Sequence, residues 1–197
     1  MSSETKKEET EIFYPTSQKE WRQWLKENHR SKQSVWLVYY KKETCKPSIS
    51  WSNAVDEALC FGWIDSKKIS IDKETSHQFF SKRKAKSTWS KINKNKVEKL
   101  IAGKLMTKAG FEIIETAKQN GSWTILDDVE ELIIPTDLEK EFKTKPGSKD
   151  FFLSLSKSVK KIMLQWLVLA KKQETRQKRI SEIVELSSQK LKPKQFR

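Results

Sequence analysis

The chain has 197 residues, 36% of them apolar and 34% charged, with five glycines, five prolines and a net charge of +14 at pH 7. That length supports one domain, or one domain with an appendage, built on its own core, and the composition excludes collagenous and low-complexity classes. The longest apolar stretch, Ile162 to Ala170, is interrupted by Gln165 and falls short of the roughly 18 to 20 residues needed to cross a bilayer, so no membrane span is expected.

In chain order, residues 1–12 are polar, bury nothing and are expected to form a disordered tail. The opening run MSSETKKEETEIFY lacks an apolar signal core, which sets a cytoplasmic expectation. Ser17 and Glu20 match a capping box, and Trp21, Trp24 and Leu25 follow at helical spacing to about Asn28. Val35 to Tyr40, β-branched and aromatic throughout, reads as a strand covered on both faces. Ser50 or Ser52 caps a short helix with Ala54, Val55, Ala58 and Leu59 on one stripe, stopped by Gly62. Trp63–Ile71 and Ser76–Ser81 read as two more strands joined by a turn at Asp72–Thr75.

From Ser90 the period becomes helical. Val97, Leu100 and Ile101 share one face before Gly103, and a helix capped by Thr107 carries Phe111, Ile114 and Ala117, the two resembling a hairpin. Pro135-Thr-Asp137 and Pro146 are helix-start signals. Val159, Ile162, Met163, Trp166, Leu167 and Ala170 then form the clearest amphipathic stripe in the chain. Thr175 caps a last helix with Ile180, Ile183 and Val184 inward. The expected class is mixed α/β (α+β): an α/β domain over residues 13–125, a small sheet with helices and Trp-rich segments, followed by an all-helical C-terminal module over 134–191.

Charge is unevenly spread, at +1 for residues 1–81, +9 for 82–108, −5 for 109–155 and +9 for 156–197. Such a map favours acidic partners, or else describes solvated helix faces. For a polyanion, nucleic acid included, the segments 82–108 and 156–197 supply Lys82, Arg83, Lys84, Lys86, Lys91, Arg176, Lys178 and Arg179, although no RNA- or DNA-binding signature accompanies them. Cys45 and Cys60 read as reduced thiols. Neither His29 nor His77 has ligands at metal spacing, so no metal and no cofactor is assigned.

Two Trp-rich segments, Trp51–Asp65 and Ser81–Asn93, combine aromatics with charged and hydroxyl groups, the usual lining of a small-ligand site. Their ligand-binding candidates are Trp51, Asp56, Trp63, Asp65, Arg83, Trp89 and Asn93. The alternative makes Trp51, Trp63 and Trp89 core aromatics, with Asp65 pairing Arg83 to hold a loop. Asp56 and Glu57 are adjacent on a helix and point in different directions, which argues against a paired-carboxylate dyad, and no catalytic residue is nominated.

The strings ALCFGWIDSKK at Ala58–Lys68, KSTWSKINKNKVEKLI at Lys86–Ile101, the run from Met106 to Trp123 and AKKQETRQKRI at Ala170–Ile180 resemble the YdeI/OmpD-associated family, also called bacteriocin-protection proteins, over about Phe13 to Leu191. The resemblance implies a small bacterial α/β protein with a helical C-terminal module, connected with resistance to cationic peptides or bacteriocins and with an outer-membrane porin as a protein partner. It brings no catalytic residues. The leading expectation is a stress-protection protein that is non-enzymatic or has no defined reaction. Its rivals are a nucleic-acid or polyanion binder, and a small-anion receptor or enzyme built on Trp63, Asp65, Arg83 and Trp89.

Overall fold

The first helix is set by a cap. Ser17 accepts a hydrogen bond from the Glu20 amide (3.3 Å) and opens α1 (Gln18–Asn28), which buries Trp21, Trp24 and Leu25. Glu20 reaches back one residue further than a simple capping box. Its carboxylate accepts from the amide and the hydroxyl of Thr16, each at 2.8 Å, and these bonds hold its pKa below the ordinary value.

A computed structural model describes residues 10–196, and these fall into two compact units divided at Ser87/Thr88, Lys91/Ile92 and Ser122/Trp123. The fold is mixed α+β, with the sheet in the first unit and helices throughout the C-terminal part.

The sheet has four strands in the order β1 (Ile12–Phe13), β2 (Ser34–Tyr40), β4 (Thr75–Lys82), β3 (Trp63–Ser70). β1 runs parallel to β2, whereas β4 is antiparallel to both β2 and β3. The tail expected over residues 1–12 lies outside the described residues as far as residue 9. Beyond it order begins earlier than expected, because Ile12 already pairs with Trp36, whose amide donates to the Glu11 carbonyl (2.9 Å). β2 alternates rather than being covered alike on both faces. Val35, Leu37 and Tyr39 are buried, and Trp36, Val38 and Tyr40 are half-buried. Between β3 and β4 the Asp72 carboxylate accepts from the amides of Glu74 (2.7 Å) and Thr75 (2.6 Å), which forms the turn and lowers its pKa.

Aromatic rings fill the core under this sheet. Trp24 packs on Trp21 (5.1 Å between centroids) and edge-on against Trp63 (5.7 Å), and Phe80 closes on Trp21 (5.5 Å). Against them lies α2 (Trp51–Cys60), capped by Ser50, with Ala54, Val55, Ala58 and Leu59 buried as the spacing predicts.

α3 (Lys91–Ala102) buries Val97 and Leu100 but leaves Ile101 exposed. α4 (Lys108–Gln119) packs on α2 in place of the expected hairpin with α3. Its stripe is Gly110, Ile114 and Ala117, and Phe111 is exposed. The shift has a steric cause. A Cβ on Gly110 would stand 2.4 Å from the Cys60 carbonyl oxygen, so only glycine allows the helix this close. Thr107 stands at the N-cap of α4 as expected, but its hydroxyl makes no bond to the helix and donates instead to that same carbonyl at 2.6 Å.

The second unit contains α5 (Asp127–Glu130), α6 (Thr136–Phe142), α7 (Ser148–Ser154), α8 (Lys157–Val168) and α9 (Gln173–Ser188). α6, α7 and α8 all pack on α9 around Leu138, Phe142, Phe152, Met163, Leu167, Ile180 and Ile183. α8 turns a slightly different face inward than its stripe suggests: Leu164 is buried, Ile162 is exposed and Trp166 is half-buried. Trp166 forms a lid over the core edge, with the Arg179 guanidinium 4.8 Å above its ring and Phe196 edge-on at 5.5 Å. α9 begins at Gln173 with Lys172 at the cap, so Thr175 lies inside the helix. No described helix is long and apolar enough to cross a membrane.

Leu167→Ala should therefore lower stability in urea unfolding by about 2–5 kcal/mol and Trp166→Ala by less; the reverse ranking would contradict this assignment of the core. Gly110→Ala should cost about 1–3 kcal/mol by overpacking, readable as a fall in melting temperature, because the atom it meets is backbone.

Candidate functional site

The clearest basic cavity of the first unit, about 360 Å³, is lined by residues from four places in the chain: His29 and Arg30 after α1, Gly62 and Trp63 where α2 passes into β3, Lys82 and Arg83 at the end of β4, and Glu112, Ile113 and Thr116 on α4. Backbone pairing brings the middle two together. Trp63 is opposite Lys82, and the Arg83 amide donates to the Gly62 carbonyl at 2.9 Å. Gly62 takes φ +73°, which ends α2 and turns the chain into β3, and a Cβ there would press on the Ala109 carbonyl at 3.1 Å. The α4 wall is placed by the Gly110 contact.

The lining carries His29, Arg30, Lys82 and Arg83 against one carboxylate, Glu112. Arg83 is only 6% exposed. Burial pushes its guanidinium pKa down to about 10, a fall that the attraction of Asp65 partly offsets, so it stays charged at neutral pH. Lys82 donates to the Arg30 carbonyl at 2.7 Å, while Arg30 itself is exposed. The His29 ring Nδ1 lies 2.9 Å from the Leu25 carbonyl, so it is the ring nitrogen that carries the proton there.

The ligand candidates read from the sequence are spread over several environments. Trp63 is fully buried, its indole N–H directed at the His29 carbonyl (3.4 Å), and forms a core wall of the cavity. Asp65 is joined to Trp51, whose indole N–H donates to it at 2.9 Å, and Gln78 adds a weaker bond at 3.5 Å. Asp56 pairs with Lys96 at 2.7 Å. Glu57, 4% exposed, accepts from Gln18 and Arg22, each at 2.6 Å, so the two adjacent carboxylates serve separate partners. Trp89 belongs to the second unit, buried with its ring 4.8 Å from that of Trp123, and Asn93 is half-buried on α3.

The polyanion candidates divide in the same way. Lys84, Lys86 and Lys178 are exposed. Lys91 pairs with Glu131 at 2.9 Å. Arg176 grips Asp137 with two bonds (2.5 and 2.9 Å) and a third to the Leu167 carbonyl, which holds the Asp137 pKa below its usual value. Arg179 donates to the Trp166 carbonyl at 2.5 Å while covering its ring. Among the described residues no group of three or more His, Cys, Asp or Glu is placed to hold a metal ion.

His29, Arg30 and Glu112 were not among the ligand candidates read from the sequence. Glu112 sits far along the chain from the adjacent His29 and Arg30, and the seating of α4 brings it to the same cavity.

No curated protein and no solved structure matches the chain. Residues 131–190 match the family described as bacteriocin-protection, YdeI or OmpD-associated. That match is narrower than the span of about Phe13 to Leu191 over which the sequence resembles the family, since the strings at Ala58–Lys68 and Lys86–Ile101 fall where another model matches. Residues 13–113, just over half of the chain, match that second model, described as a domain of unknown function (DUF8412). With β2, β3, β4, α2 and the start of α4 all inside that match, the chain belongs to the DUF8412 family and carries a bacteriocin-protection-like helical segment behind it.

Proposed function

We propose that the protein is a non-catalytic, cytoplasmic stress-protection protein that acts by holding a small oxyanion in the basic cavity of its first unit. The observation that carries this reading is Arg83, a guanidinium buried to 6% exposure and still charged, on the wall of a cavity where basic groups outnumber the single carboxylate. In such a partly dry setting an anion is held more strongly than on an open lysine surface. Family resemblance supports the protective role in general terms only. A chain at +14 repels cationic peptides, so protection works indirectly and not by capturing them. The in-molecule bonds of Lys91, Arg176 and Arg179 weigh against a polyanion groove as the main activity.

The test is an amide NMR titration of the full chain with inorganic phosphate, sulfate and citrate at low and physiological salt, beside duplex DNA and heparin. At least one small anion should shift Arg30, Gly62, Lys82 and Arg83 at physiological salt. Arg30→Glu, an exposed change, should weaken that binding about tenfold. Unchanged affinity in Arg30→Glu, or shifts produced by DNA and heparin alone, would refute the reading.

A further inference from the structure

A second cavity of the first unit, about 520 Å³, opens at the end of β2. Tyr39 and Tyr40 contribute from the strand, Lys41, Lys42, Glu43 and Lys46 from the turn after it, Ser48 to Trp51 from the approach to α2, and Lys68 and Ser76 from β3 and β4. It shares no lining residue with the basic cavity.

Its decisive feature is the Tyr39 hydroxyl. Tyr39 is 8% exposed, and its oxygen has no hydrogen-bond partner among the described residues. Burial and the negative charge of Asp65 raise its pKa above the ordinary tyrosine value, so it remains a phenol with a proton to donate. Leaving such a group unbonded in a buried setting is unfavourable, and a ligand acceptor would relieve it. Several polar groups around it hold other partners. The Ser48 hydroxyl oxygen accepts from the Tyr40 amide (3.2 Å), that of Ser50 accepts from the Asn53 amide (3.1 Å), and the Trp51 indole N–H is held by Asp65. Lys46 pairs with Glu74 (3.0 Å) above the Tyr40 ring. By contrast, Lys42 and Lys68 make no ion pair among the described residues.

Three kinds of group therefore meet in one cavity. Trp51, 50% exposed with its indole tethered by Asp65, and Tyr40 offer aromatic surface for a flat ring. Lys41, Lys42 and Lys68, set against Glu43 alone, offer charge for an anion, and Tyr39 offers one buried donor. A bare oxyanion would use only the lysines, and an uncharged ring only the aromatics. The volume lies within the range of about 300–1,000 Å³ usual for small-ligand sites and admits a ring, a sugar and a phosphate together.

We propose that this cavity binds a free aromatic monophosphate of mononucleotide size, its ring against Trp51, its phosphate held by Lys42 and Lys68, and a ring acceptor accepting a hydrogen bond from the Tyr39 hydroxyl. The site is independent of the basic cavity and stands or falls separately from it.

The test is amide and indole NMR of the full chain at physiological salt, titrated with AMP, GMP, CMP and UMP, and with adenosine, ribose 5-phosphate and a short single-stranded DNA as comparisons. At least one monophosphate should shift the Trp51 indole signal and the amides of Lys41 to Ser50. Adenosine and ribose 5-phosphate should each bind about tenfold more weakly than that nucleotide, since each lacks one of the two anchoring groups. Tyr39→Phe, which removes one oxygen and keeps the ring, should fold normally and weaken nucleotide binding about fivefold. Lys42→Ala combined with Lys68→Ala should weaken the nucleotide and leave adenosine unchanged. The proposal is overturned if no monophosphate shifts Trp51, if the shifts fall only on His29 and Arg30, or if ribose 5-phosphate binds as well as the nucleotide. DNA binding here without the free nucleotides would also overturn it. So would wild-type affinity in Tyr39→Phe, which would mean that the hydroxyl serves only an ordered water.

Discussion

The first unit turns on one backbone carbonyl, that of Cys60. It closes α2, receives the Thr107 hydroxyl (2.6 Å) and amide (3.2 Å), and meets α4 at a point where Gly110 leaves no room for a side chain. A carbonyl at a helix end lacks an intrahelical donor and must find one elsewhere. Here that need is met by the start of another helix, so satisfying a single acceptor also fixes where Ala109, Glu112 and Ile113 stand. The wall of the basic cavity follows from the hydrogen bonding of a helix terminus.

Charge in this protein is used more often inside the molecule than its total suggests. The Arg22–Glu57, Lys96–Asp56, Lys161–Glu130 and Arg176–Asp137 pairs are all partly buried, and each ties together segments distant in sequence. Exposed pairs add little, but a partly buried, bidentate contact such as Arg176–Asp137 holds α6 and α9 in one arrangement. Lys84, Lys86 and Lys178, by contrast, are exposed. Net charge states how the chain repels or attracts at a distance, and the pairings state which side chains are available at contact.

Local rules carried much of the fold. The Ser17 and Ser50 caps and the Asp72 turn depend on neighbours a few residues away, and they were legible in the sequence, whereas Val35–Tyr40 was legible as a strand but not in its alternation, with Val35, Leu37 and Tyr39 alone buried. The departures all have tertiary causes. Phe111 lost its place on the stripe to Gly110 because a backbone atom stands where a side chain would go. On α8, Leu164 is buried and Ile162 exposed, while Trp166 covers the core edge under Arg179. The candidate sites were legible only in pieces. Trp51 and Asp65, fourteen positions apart, do meet, and Arg83 does line a cavity, yet Tyr39 reads as an ordinary strand aromatic until its hydroxyl is seen to be buried and unbonded.

The two cysteines differ in a way that makes the protein convenient to watch. Cys60 is buried, and burial pushes its thiol pKa up to about 11, which keeps it protonated and slow to react at neutral pH. Cys45 is exposed, at φ 55° in the turn between Glu43 and Lys46, two residues that line the aromatic cavity. A thiol-directed dye should therefore attach at one position without any engineering of the chain, and that position is on the rim of the cavity. The natural sequence thus comes with a single optical handle placed where a bound ring would be felt.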